Sequence, residues 1–149
     1  MSQAGKEILL KVVIQAIPTY SMNIFQMPKA LCSKINSLMQ KFWWSHQRKN
    51  SSIPWMSWSR MGVAKVKGGT GFRDFHCFNK ALLAKQLWRL WHNPNSLIGG
   101  IMKAKYFPKG TVVDANLGSK PLFAWRSISS SKDLITKGLA RRIGNEDKV

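Results

Sequence analysis

The 149-residue chain is strongly basic, with 24 Lys and Arg against 6 Asp and Glu, a formal net charge of +18, and 44% hydrophobic residues. This length can bury one modest core, so we expect one compact unit. The few carboxylates disfavour an enzyme that holds catalytic metal ions with clustered acids, and the excess of positive charge favours a polyanionic partner, nucleic acid first.

Three helices are predicted in the N-terminal third of the chain. Ser2 caps the first, which extends to about residue 17 with one apolar face: Ile8, Leu9, Val12, Val13, Ala16 and Ile17. Pro18 and Pro28 open the next two, at 19–27 and 28–44, because proline is tolerated in the first turn of a helix but not in its interior. The third helix has its own apolar stripe: Leu31, Ile35, Leu38, Met39 and Phe42.

Irregular structure is expected between this helix and the next. The polar residues 45–52, SHQRKNSS, predict a basic loop, and Pro54 favours an extended segment over residues 53–58, IPWMSW. Gly68, Gly69 and Gly71 then predict a turn that uses positive backbone angles. Asp74 is expected to cap a helix over 75–92.

Shorter helices are predicted in the rest of the chain. They are expected at 96–107, weakened in its middle by Gly99 and Gly100, and at 121–129 and 132–137, with a loop over 108–120 and a stop at Gly138. Residues 139–145 are typical of a truncated hairpin, because strand-like alternation leads into a Gly-Asn turn. The sequence therefore predicts a mainly α fold with minor extended segments, in one compact unit with the parts 1–44, 45–72, 73–137 and 138–149.

No pattern typical of catalysis or of metal or cofactor binding stands out. The acids are scattered along the chain except for a terminal pair: Glu7, Asp74, Asp114, Asp133, Glu146 and Asp147. The glycine turn lacks the Gly-Lys-Ser/Thr ending of a phosphate loop, and His76, Cys77 and His92 lack zinc-ligand spacing. We therefore expect a protein that is not an enzyme and that has no catalytic residue, metal or cofactor.

The cysteines, the tryptophans and the hydropathy pattern further limit the class of protein to which the chain can belong. Only two cysteines, Cys32 and Cys77, are present, which disfavours a disulfide scaffold, and both are expected to be buried. Each Trp is also expected to lie in the core and not to serve as a platform on which bases stack. Lysines interrupt the N-terminal apolar stretch, so no membrane-spanning segment is predicted, and no secretory signal pattern is visible.

Basic residues on predicted helix faces are the strongest functional pattern. They fall on three helices and on the turn before the third, and they could line one groove that contacts nucleic-acid phosphates: Lys6, Lys11, Lys29, Lys34, Lys41, Arg73, Lys80, Lys85 and Arg89. Ordinary solvated surfaces intersperse both signs of charge, whereas this chain has few acids to offer.

An ordered series of motifs resembles the reverse transcriptase of plant LINE-type (non-LTR) retroelements, in the region after the catalytic palm. It runs over nearly the whole chain: SQAGKEILLKVVIQAIPTYSM, LCSKINSLMQKFWW, WMSWSRM, KGGTGFRDFHCFNKALLAKQLWRL, IMKAKYFP, AWRSI and GLARRIGN. The chain is also similar to uncharacterised open reading frames of plant mitochondrial genomes. The fourth motif contains the residues we assign to structure: Gly68, Gly69, Gly71, Asp74, Asn79 and Trp88.

The resemblance implies a helical thumb and connection region that holds an RNA/DNA duplex beside a palm domain. The palm itself is not implied here, because Tyr20 and Tyr106 are not followed by an Asp-Asp pair. Thr70 replaces the Leu that is usual in the family's Gly-Gly-Leu-Gly motif. This difference affects how the third position of the motif packs, and the turn itself is still expected. The expected partner is RNA or DNA, bound non-specifically through its backbone, with a palm domain supplied in trans as a further possibility.

Two alternatives stay open at this point. One is a retroelement relic without a selected function, whose thumb helices would expose apolar residues such as Ile8, Val12 and Phe42 in the absence of the palm. The other is a binder of anionic membrane surfaces through basic amphipathic helices. The expected location is the mitochondrion if an organellar open reading frame encodes the chain, and otherwise the nucleus.

Overall fold

A computed structural model describes residues 2–45 and 53–138 of the chain. Within these ranges the protein is mainly helical and contains no strand, which confirms the predicted fold class. The α-helices are α1 Gln3–Ile8, α2 Thr19–Met22, α3 Lys29–Trp44, α4 Trp58–Met61, α5 Phe75–His92, α6 Leu97–Tyr106, α7 Phe123–Ser129 and α8 Lys132–Gly138. The predicted hairpin, 139–145, and most of the predicted basic loop, 46–52, lie outside the described residues.

Two hydrophobic clusters form the core, and α5 contributes to both. The N-terminal core contains Leu10, Met22, Cys32, Met39, Trp43, Trp58, Met61, Phe72 and Phe75. The C-terminal core contains Leu83, Ala84, Leu87, Leu90, Phe107, Val112, Ala115, Trp125, Ile128 and Ile135. Helices α2, α3, α7 and α8 all contact α5, and α1 packs on α3. Helix α5 is therefore the axis of the fold.

The predicted apolar face of the first helix was wrong. After α1 the chain continues as a π-helical segment, Leu9–Ile14, in which the backbone N–H of Gln15 donates to the Leu10 carbonyl at 3.0 Å. The side of this stretch that packs on α3 carries Lys6 and Leu10, which are buried, while Ile8 and Val12 are 63% and 65% exposed. The helical stretch also ends at Ile14, three residues earlier than predicted.

The helix predicted over 19–27 is shorter because Asn79 captures its polar backbone groups. The side-chain amide of Asn79 donates to the carbonyls of Met22 at 2.8 Å and Phe25 at 2.9 Å, and its Oδ1 accepts from the N–H of Met27 at 2.8 Å. The Met22 carbonyl already has this partner and α2 ends at Met22. The side chain of one buried residue thus replaces a turn of helix.

The helices at 28–44 and 75–92 are confirmed as α3 and α5. Leu31 and Leu38 of the predicted α3 stripe are exposed, however, because α3 buries the side that carries Cys32, Met39 and Trp43. Trp58 was expected in an extended segment and instead begins α4. Cys77 was expected to be buried and is exposed, because it lies on the outer side of the first turn of α5.

The glycine turn follows the prediction closely. Gly68 and Gly71 have φ values of 82° and 70°, in the left-handed region that glycine tolerates best. A Cβ atom on Gly69 would lie 1.9 Å from the Val63 carbonyl oxygen, so this position needs the absence of a side chain. Thr70 is held by its hydroxyl, which donates to the Met61 carbonyl at 2.8 Å.

Candidate nucleic-acid interface

Helices α3 and α5 each present three of the nine candidate binding residues, and the first turn of α5 is fixed by Asp74. The Asp74 carboxylate accepts from the backbone N–H of Cys77 at 3.0 Å and from the side-chain amide of Asn36 on α3 at 3.1 Å. The first bond caps the helix and the second ties it to α3. Asp74 therefore has the structural role that the sequence predicted.

Every carboxylate in residues 2–45 and 53–138 already has a polar partner. Glu7 pairs with Lys11 at 2.7 Å and with Lys65 at 2.6 Å, Asp133 pairs with Lys80 at 2.7 Å, and Asp114 accepts from the Thr111 hydroxyl at 2.6 Å. Hydrogen bonds from Lys11 and then Lys65 lower the pKa of Glu7, and the hydrogen bond from Lys80 lowers the pKa of Asp133. Within those same residues, no group of His, Cys, Asp and Glu is placed to hold a metal ion.

Two of the predicted binding residues are used inside the fold. Lys6 is buried, and its ammonium donates to the carbonyls of Trp43, at 3.3 Å, and of Ser45 at the end of α3. Lys11 donates to the Thr70 carbonyl at 2.6 Å in addition to its pair with Glu7. Both side chains hold the N-terminal helix against its neighbours, so contact with a ligand would compete with these bonds.

Lys29 and Lys80 come together at a small recess between the start of α3 and α5. The recess has a volume of about 210 Å³, and His76 and Ser130 also line it. The Lys80 ammonium forms the ion pair with Asp133 described above, so it is less available to bind an external anion. Arg73 lies elsewhere, with its guanidinium 4.7 Å from the ring centre of Phe78.

Lys85 and Arg89 lie on a different face of α5 from Lys80. Five residues along an α-helix correspond to a rotation of about 140°, so Lys80 and Lys85 cannot share one face, whereas Lys85 and Arg89 are one turn apart. Both residues are exposed and line a groove between α2, α5 and α6 with a volume of about 1320 Å³. Lys34 and Lys41 are exposed on α3, outside the lining of either recess.

The apolar part of this groove was missed by the sequence analysis. Leu97, Ile98 and Ile101 of α6 and Tyr20 of α2 all line it and are all exposed, Leu97 to 82% and Tyr20 to 81%. The spacing of the three aliphatic residues on one side of a helix was a visible signal. It was ambiguous, because the same pattern usually marks a buried face.

The structure also shows the surroundings of Trp88 and of the two cysteines. Trp88 is exposed at 44%, its ring lies tilted against the His92 ring at a centroid distance of 4.2 Å, and Trp91 is edge-on to it at 5.5 Å. Burial raises the pKa of the Cys32 thiol, and burial and the Asp74 carboxylate raise that of Cys77. Neither thiol is activated as a nucleophile. Among the described residues no helix is long and apolar enough to cross a membrane.

The fold and this surface define a small, helical, strongly basic protein built around one long axial helix. The chain belongs to the family of the uncharacterized mitochondrial protein AtMg00310 of Arabidopsis thaliana, with which it shares 40% identity over 131 residues, 87% of this chain and 85% of that protein. It is also 29% identical over 153 aligned positions to the putative ribonuclease H protein At1g65750 of Arabidopsis thaliana. That alignment spans this whole chain and 24% of the relative. No protein-family model and no solved structure matches the chain.

Proposed function

We propose that this protein is a non-catalytic fragment of a retroelement reverse transcriptase that binds RNA and DNA through their phosphate backbones. One observation carries the proposal: the described carboxylates are all engaged, while Lys34, Lys41, Lys85 and Arg89 are exposed and make no ion pair there. Within residues 2–45 and 53–138 no carboxylate is left over to pair with them, so their charge favours an additional anionic partner. Nucleic-acid backbones provide one at regular spacing.

The similarity to a longer plant protein supports the same proposal. The relative of which this chain spans about a quarter is named as a putative ribonuclease H protein, and a ribonuclease H acts on nucleic acid. A segment from such a protein that keeps its basic helices but no carboxylate cluster would keep affinity without chemistry. The mitochondrial name of the other relative supports a mitochondrial location.

Backbone contacts by Lys and Arg give binding that does not depend on sequence and that weakens with salt. If about six basic side chains meet phosphates, the logarithm of the affinity should fall with the logarithm of the salt concentration at a slope of roughly 5. Fluorescence anisotropy of a labelled RNA/DNA hybrid, measured across a salt series with the full chain, tests this. Absence of binding at low salt would overturn the proposal.

Two pairs of substitutions locate the contacts. Lys85→Gln with Arg89→Gln should reduce the salt slope by about 2, because each lost phosphate contact removes about 0.9. Lys109→Gln with Lys120→Gln removes the same charge from exposed loop positions and should change the slope much less. Equal effects of both pairs would mean that binding follows net charge alone and would exclude the α5 face as the binding surface.

A further inference from the structure

The groove between α2, α5 and α6 combines a cationic wall with an apolar one. Lys85 and Arg89 are one helical turn apart on the α5 side, and Leu97, Ile98 and Ile101 lie on the α6 side. Gln86 joins the α5 wall to the α2 end, where its amide donates to Asn23 Oδ1 at 3.3 Å. The groove is a solvent-open recess lined by side chains from α2, α5, α6 and α7.

No acidic residue is present among those that line the groove. The local charge is therefore positive without compensation, which complements a polyanion. The lining also includes four side-chain amides: Asn23, Gln86, Asn93 and Asn95. Asn23 and Gln86 already bond to each other, and amides of this kind can donate and accept hydrogen bonds as the edges of nucleic-acid bases do. This set of groups suits a ligand that carries phosphates together with polar, planar bases.

The exposed apolar surface determines which form of nucleic acid fits. Tyr20, Leu97, Ile98 and Ile101 can cover the flat faces of bases only if those faces are not already stacked in a duplex. Stacking on aromatic side chains beside a basic groove is the usual way in which proteins hold single strands. From this combination, which rests on the nucleic-acid binding proposed above, we infer that the groove binds single-stranded RNA or DNA in preference to a duplex.

The test compares a labelled oligo(U) single strand with a labelled RNA/DNA hybrid of equal length, by anisotropy with the full chain. Tyr20→Ala should weaken single-strand binding at least about fivefold, because stacking of one base on an aromatic ring commonly contributes that much or more, and should leave the hybrid nearly unchanged. Tyr20→Phe keeps the ring and should retain the affinity of the native protein.

A second pair of variants tests the aliphatic wall. Ile98→Ser with Ile101→Ser should weaken single-strand binding selectively, whereas Ile8→Ser with Val12→Ser, at similarly exposed positions outside the groove, should not. All four positions are exposed, so these changes leave the cores intact. Circular dichroism of each variant checks that the helices remain.

The possible results separate this inference from the proposed function. If the hybrid binds and neither Tyr20→Ala nor the Ile98/Ile101 pair changes single-strand affinity, the inference is overturned while nucleic-acid binding stands. If neither nucleic acid binds at low salt, both are overturned. An acidic amphipathic peptide that binds more tightly than the single strand, and loses affinity in the same variants, would overturn the inference in favour of a protein partner.

Discussion

Asn79 Oδ1 accepts a hydrogen bond from the backbone N–H of Met27 at 2.8 Å, although 52 residues separate the two in the sequence. Asn79 is 2% exposed, and its amide also donates to the carbonyls of Met22 and Phe25. Three backbone groups at and after the end of α2 thus depend on one side chain of α5. This residue joins the N-terminal helices to the axis of the fold and positions Tyr20 and Asn23 at the groove.

Replacing Asn79 by Ala should therefore lower stability strongly. The change leaves the buried Met22 carbonyl without this partner, at a cost of about 1–3 kcal/mol, and removes two part-buried hydrogen bonds, so a loss of about 3 kcal/mol is expected. Urea denaturation followed by circular dichroism measures it as a lower free energy of unfolding. Asn116→Ala, at an exposed loop position, is the matched control and should change stability by less than about 0.5 kcal/mol. Similar values for both variants would contradict the role of Asn79.

Lys6 should contribute to stability and not directly to nucleic-acid binding. Its ammonium caps the last carbonyls of α3, where the partial negative charge of a helix end favours a cation. Lys6→Met keeps most of the aliphatic stem and removes these bonds, with an expected loss of about 2 kcal/mol, the usual value for a hydrogen bond to a charged group. The free energy of unfolding is again the measurement.

Lys34→Met removes the same charge from an exposed position on α3 and serves as the control for Lys6. It should leave stability nearly unchanged and weaken hybrid binding. The opposite pattern, with Lys6→Met fully stable and binding lost, would show that the Lys6 side chain reaches the nucleic acid.

Local signals explain why some elements could be predicted and others could not. The start of α5 could be predicted because Asp74 caps it by a hydrogen bond to a backbone N–H only three residues later. The glycine turn could be predicted because Gly68 and Gly71 adopt positive φ angles that few other residues tolerate. The end of α2 depends on Asn79, a distant residue, and no local pattern reveals this. Among the candidate site residues, the predicted helix over 75–92 is enough to place Lys85 and Arg89 one turn apart, whereas the burial of Lys6 depends on its bonds to the distant end of α3.

The adjacent residues Gly99 and Gly100 of α6 should respond to the same substitution in opposite ways. A Cβ on Gly99 would lie 2.7 Å from the Asn93 carbonyl oxygen, whereas a Cβ on Gly100 would meet no atom within 4 Å. Gly100→Ala should raise the free energy of unfolding by about 0.5–1 kcal/mol, because Ala favours the helix. Gly99→Ala should lower it by about 1–3 kcal/mol through overpacking against the turn that precedes α6.

Thermal and urea unfolding of the two variants side by side provide the measurement. Each variant is the control for the other, since both remove one glycine from the same helix. A gain of stability in both would mean that the turn at 93–96 moves away without cost.

Acid should weaken the protein partly through Glu7. Hydrogen bonds from Lys11 and Lys65 hold the pKa of the folded-state carboxyl below its ordinary value, so the unfolded chain takes up the proton first as pH falls. The stabilisation is fully present above about pH 5 and is lost as the pH falls through the ordinary Glu value of about 4.3 and then through the lower folded-state pKa. Glu7→Gln should therefore be less stable than the native protein at pH 7, and its stability should approach that of the native protein near pH 3.

Urea midpoints measured at several pH values for both proteins test this prediction. The Asp133→Asn variant separates the parallel contribution of the ion pair between Lys80 and Asp133. A constant difference between native protein and Glu7→Gln across the pH range would show that the Glu7 ion pairs do not contribute to stability.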